Sequence, residues 1–109
     1  MSRTALGEFE HHVLLALVRL SGRSRGAPIV VELEAATGRT ISPAAVFIAL
    51  RRLEQRGYAK SSKREARPGE GGRGSRDFQI TSAGRARLAE SRRTFERLWR
   101  AGGPVGEPS

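Results

Sequence analysis

The sequence contains no cysteine, only two lysines and only six aromatic residues, and its longest unbroken apolar run, Ala44–Leu50, is seven residues. Each shortage excludes something. Without thiols there is no disulfide framework, thiolate zinc site, iron–sulfur cluster or cysteine nucleophile. A membrane-spanning helix needs roughly 20 apolar residues. The opening Met1-Ser2-Arg3-Thr4 leads into no signal-peptide core, so a cytoplasmic chain with no membrane partner is expected. With one Trp, one Tyr and four Phe, the core must be mostly aliphatic. At 109 residues a single domain is expected.

What is abundant is positive charge. Twenty Lys+Arg stand against 11 Asp+Glu, giving +9. The excess is regional. Residues 1–50 carry five bases and four acids, whereas residues 51–100 carry 15 bases and six acids. Codon usage in a GC-rich genome would account for most of the preference for Arg over Lys. It does not account for the confinement of the excess to one half, which favours a binding face. Arginine's planar fork suits phosphates and guanine edges.

The periodicity predicts helices in the first half. Phe9, Val13, Leu14, Leu17, Val18 and Leu20 repeat with helical spacing over Glu8–Leu20. Residues 21–27 form a turn-rich break. Pro28 suits the first turn of a second helix, which Thr37-Gly38 ends. The β-branched Ile29-Val30-Val31 makes a short strand there the competing reading. Ser42-Pro43 is the clearest start signal, a hydroxyl cap followed by proline at the first helical position. The helix Pro43–Arg56 follows, with Val46, Leu50 and Leu53 on one face, and Gly57 stops it. Two short helices joined by a tight turn, the second basic outside, make a helix-turn-helix pattern.

After Gly57 the period changes. Tyr58–Arg64 and Arg76–Ile80 read as strands around the Gly-rich loop 65–75, which makes a β-hairpin wing. Thr81 or Ser82 caps a last helix to about Arg100, with Leu88, Phe95 and Trp99 at i, i+7, i+11 and Leu98 beside them. The tail 101–109 lacks periodicity and is expected to be disordered. The fold class is therefore mainly α with a small β-hairpin. Residues 1–81 form a winged helix-turn-helix, and residues 82–100 a C-terminal helix of the same domain.

Three stretches carry a resemblance: LGEFEHHVLLAL (6–17), ELEAATGRTISPAAVFIALRRLEQRGY (32–58) and DFQITSAGRARL (77–88). From Leu6 to Leu88 the chain resembles the PadR family of bacterial winged-helix transcriptional regulators, in its short branch with one helix after the wing. Two positions depart. Arg25-Gly26 stands where the family commonly has Tyr-Gly, and Phe47 where it commonly has Tyr. A phenol there can reach a phosphate oxygen and Phe47 cannot, which bears on one backbone contact and not on the fold.

The resemblance implies a homodimeric DNA-binding regulator, expected to be a repressor on a palindromic operator. On the recognition helix, Ser42, Ala44, Ala45, Ile48 and Arg52 are expected toward the major groove, with Arg51, Gln55 and Arg56 along its edge. Arg52 has an alternative, pairing with Glu8 or Glu54 to hold the helix in place. On the wing, Lys60, Lys63, Arg64, Arg67, Arg73 and Arg76 are expected over a phosphate backbone or in a minor groove. The dimer interface is expected from Phe9, Val13, Leu88, Phe95, Leu98 and Trp99, the last helix packing on the partner's first. Phe95 and Trp99 are candidates for a small-molecule effector pocket, with plain dimer packing as the alternative. Adjacent His11 and His12 point about 100° apart and cannot chelate one ion together. No metal, cofactor or catalytic site is expected. Two other classes stay open: a basic interaction module for an acidic protein, and an RNA-binding accessory protein.

Overall fold

The computed structural model describes residues 6–64 and 75–102. Their elements are α1 (Glu8–Arg19), β1 (Arg23–Ser24), α2 (Gly26–Thr37), α3 (Pro43–Gln55), β2 (Ala59–Arg64), β3 (Ser75–Ile80) and α4 (Ser82–Gly102). The three-stranded antiparallel sheet has the order β1-β3-β2. Helices α1, α2 and α3 pack on one another, and the sheet closes the open side of the bundle. This is a winged helix, with β2 and β3 as the wing.

One aliphatic core holds it together. Val13, Leu14 and Leu17 of α1 meet Ile29 and Leu33 of α2 and Val46, Leu50 and Leu53 of α3. Phe78 and Ile80 of β3 cap that cluster from the sheet. The helical reading of residues 29–31 prevails over the strand because Ile29 and Leu33, one turn apart, both enter the core while Val31 faces solvent. The helix starts at Gly26, two residues before Pro28, and ends at Gly38 in the left-handed conformation (φ 70°). Ser42 caps α3 as expected, its Oγ accepting from the Ala45 N–H at 3.2 Å.

Three sequence expectations are corrected. The break at residues 21–27 contains β1, whose Arg23 and Ser24 pair with Gln79 and Phe78. α4 runs through Ala101 to Gly102, past the expected end near Arg100. Residues 103–109 of the expected tail lie outside the described residues. Val13, expected at a dimer interface, is fully buried in its own protomer's core.

The start of α4 is bonded to the end of α3. Thr81 Oγ1 donates to the Gly57 carbonyl at 2.6 Å and accepts from the Gly84 N–H at 3.0 Å, capping α4. The Thr81 N–H donates to the Tyr58 carbonyl at 3.0 Å. Gly84 is required by this closeness: a Cβ there would stand 2.2 Å from the Tyr58 oxygen.

Candidate nucleic-acid interface

The outward surface of α3 follows from its buried one. Val46, Ala49, Leu50 and Leu53 face the core. At about 100° per residue the diametrically opposite line is Ala44, Ile48, Arg51 and Gln55, and all four are exposed. Arg52 is exposed on one flank and Phe47 on the other, with Ser42 exposed and Ala45 half-buried at the N-terminal end. The recognition-helix candidates therefore lie together on one continuous surface.

The arginines of this surface are held by neighbours. The Arg51 guanidinium lies 6.0 Å from the centre of the Phe47 ring and 3.7 Å from the Glu54 carboxylate. Phe47 itself meets Phe78 edge-on at 6.4 Å. Arg52 does not pair with Glu8 or Glu54. Its partner is Glu10 of α1, at 3.8 Å, and Arg56 approaches the same carboxylate at 3.3 Å. Glu10 is buried, and it also accepts from the Gly7 N–H at the start of α1. Sequence reasoning missed Glu10, although its signal was present. Positions 10, 13, 14 and 17 form one helical stripe, so a carboxylate stands on the core-facing side.

A second network joins α3 to the wing. Ser61 of β2 donates to Glu54 at 2.6 Å and accepts from Arg76 of β3 at 2.9 and 3.2 Å. The register sets Lys63 directly opposite Arg76, a like-charge pair that is destabilising until an anion approaches. Lys60, Lys63 and Arg76 are exposed, and Arg64 ends β2. Arg67 and Arg73 lie outside the described residues.

The remaining candidates divide between core and surface. Leu88 is buried in the protomer and Phe9 half-buried against the core. Phe95, Leu98 and Trp99 are 63%, 70% and 51% exposed on the distal half of α4. The Phe95 and Trp99 rings stack at 5.8 Å beside Arg92, Glu96 and Arg100. Between α1 and α4 runs an open groove of about 700 Å³ lined by His11, Leu15, Val18, Leu88, Ala89 and Phe95, among others. His11 is held below the ordinary imidazole pKa, first by desolvation and then by His12 and Arg87. Among the described residues there is no cluster of metal-ligating side chains, and no helix is long and apolar enough to cross a membrane.

Comparison with known proteins agrees with this geometry. The model of the transcriptional regulator PadR-like family matches residues 14–90. A PadR family transcriptional regulator from Eggerthella lenta is 25% identical, with TM-score 0.70 over 89% of this chain and 82% of that one. A transcriptional regulator from Clostridium thermocellum is 21% identical, with TM-score 0.70 over 90% and 92%. A winged-helix DNA-binding protein from STIV is 15% identical, with TM-score 0.67 over 87% and 95%. No curated protein matches the sequence. A family match over 77 of 109 residues, on a fold with an exposed recognition helix and a wing, leads to one conclusion: the chain belongs to the PadR-like family of transcriptional regulators, a winged-helix DNA-binding family and not a family of enzymes.

Proposed function

We propose that the protein is a cytoplasmic, sequence-specific repressor that binds a palindromic operator as a homodimer. Each protomer places α3 in a major groove, with Ser42, Ala44, Ala45, Ile48, Arg51, Arg52 and Gln55 toward the bases or their edge. The wing, with Lys60, Lys63, Arg64, Arg67, Arg73 and Arg76, holds the flanking phosphates. The observation that carries this reading is the exposed line of α3, opposite the core, with Arg51 on it and Arg52 beside it. The dimer forms through Phe95, Leu98 and Trp99 of α4, since a contiguous exposed apolar patch of this kind marks an interface. Phe9 and Leu88, which are largely covered within the protomer, contribute little. A small-molecule effector binds at the stacked Phe95 and Trp99 and favours a dimer whose recognition helices no longer match the half-sites.

A dimer carries +18, twice the +9 of one chain, so binding falls steeply with salt, with a log–log slope near −0.9 per phosphate neutralised. The test is selection of random duplex DNA on the purified protein at about 0.15 M salt. The expected product is an inverted repeat with half-site centres about 10 bp apart. Arg51→Ala and Arg52→Ala then separate base readers from phosphate holders. Recovery of no motif would refute the repressor. Preference for structured RNA, or tight binding to an acidic protein alone, would put one of the other two classes in its place.

A further inference from the structure

The outward line of α3 is chemically divided. Its C-terminal half, Arg51 and Gln55, offers hydrogen-bonding groups. Its N-terminal half, Ala44 and Ile48, offers none. Across residues 42–49 the only polar side chain is Ser42, and its oxygen is engaged as the helix cap. Yet the N-terminal residues of a recognition helix are the ones that meet base edges. Ile48 is 52% exposed. Ala44 and Ala45 precede it by one turn, Phe9 of α1 lines the same shallow hollow, and Arg51 and Arg52 follow one turn on.

A small apolar surface that runs within one turn into Arg51 and Arg52 does not suit an apolar protein groove, because the guanidinium groups would have to be desolvated with it. It suits a polyanion that carries isolated apolar groups on its floor. In the DNA major groove that group is the pyrimidine C5-methyl, which thymine has and cytosine lacks. We propose that Ala44 and Ile48 form a methyl-reading site, so that each half-site contains a thymine selected over cytosine by its C5-methyl contact with Ile48. The inference rests on the operator reading above and names what the first turns of α3 read. The same methyl is present in 5-methylcytosine, so the two sources must be tested apart.

The experiment uses the full chain and the operator recovered by selection, with each thymine of one half-site replaced in turn by uracil, which removes only the methyl. At one position uracil weakens binding about fourfold, the value of one buried methyl-sized group. Cytosine at that position, paired with guanine, weakens it at least as much, and 5-methylcytosine recovers part of the loss. Ile48→Ala, at an exposed helical position that favours alanine, keeps the circular dichroism spectrum and binds the thymine and uracil operators within about twofold of each other. If every thymine-to-uracil change is neutral for the unmodified protein, the methyl site is wrong while the repressor stands. Full discrimination retained by Ile48→Ala also overturns it, because the methyl is then read elsewhere. If selection yields no operator, the repressor itself fails and the methyl site fails with it.

Discussion

Gly84→Ala is a substitution for which helix propensity and packing predict opposite signs. Gly84 lies in the first turn of α4, and in a helix interior alanine is favoured over glycine by about 1 kcal/mol. Propensity alone therefore predicts stabilisation. The structure predicts the reverse. The new Cβ would stand 2.2 Å from the Tyr58 oxygen and 2.8 Å from Ile80 Cγ1, where real Cβ atoms essentially never come within 3.0 Å of another atom. Relief needs a shift of at least 0.8 Å, the difference between 3.0 and 2.2. The Ile80 methylene can rotate in part, but the Tyr58 oxygen is backbone and accepts from the Thr81 N–H. Overpacking costs about 1–3 kcal/mol, and a backbone neighbour puts this case at the upper end. Subtracting the propensity gain leaves a loss of about 2 kcal/mol. For a domain of this size that is roughly 8–16 °C in melting temperature. Thermal unfolding followed by circular dichroism measures it, with Gly26→Ala as the control, since nothing lies within 4 Å of a Cβ there. A Gly84→Ala protein melting within about 2 °C of the parent, or above it, would refute the reasoning.

Three further outcomes are expected. Ser42→Ala removes the α3 cap and lowers stability by about 1 kcal/mol, whereas Ser42→Asn keeps most of it; chemical denaturation of the two variants reads the difference. Glu10→Gln removes the buried carboxylate shared by Arg52 and Arg56. Breaking a fully buried pair costs 3–5 kcal/mol, but Arg52 is 64% exposed and rehydrates, so about 1–2 kcal/mol is expected in urea unfolding. Finally, burial lowers the folded-state pKa of His11, so the unfolded chain takes up the proton first. Stability present above the ordinary imidazole pKa is then lost as pH falls through it toward the folded value, and the melting temperature drops. His11→Asn should flatten that slope, and a slope unchanged by the substitution would assign it to other groups.

How much of this was legible in the sequence depends on whether the signal was local. Ser42-Pro43 located the start of α3 because capping and the proline φ act within one turn. The alternation of Phe78 and Ile80 with Asp77 and Gln79 gave β3 its inner face, since strand period depends on the backbone alone. β1 was not legible, because two residues carry no period. Val13 shows a different limit. An apolar stripe tells that a face is buried but not whether its own core or a second chain buries it, and here the core takes Val13 fully. The partner of Arg52 was missed for a similar reason. Glu8 and Glu54 were the obvious acids, but the crossing of α1 over α3 brings Glu10 to Arg52, and no spacing in the sequence encodes a crossing. The exposed line Ala44, Ile48, Arg51 and Gln55 was largely legible, being simply the complement of the buried one.

The bonds from Thr81 to Gly57 and Tyr58 have a mechanical consequence. They leave no free hinge between the end of the recognition helix and the start of α4. A helix of 21 residues is about 31 Å long. A tilt of about 10° swings its far end by roughly 5 Å relative to the near end, more than the 3.4 Å between successive bases on one strand. In the proposed dimer, joined at the distal half of α4, each protomer would be a lever with its fulcrum at the twofold axis. A side-chain rearrangement around Phe95 and Trp99 would reach the DNA as a change of pitch between two α3 helices, without any refolding in between.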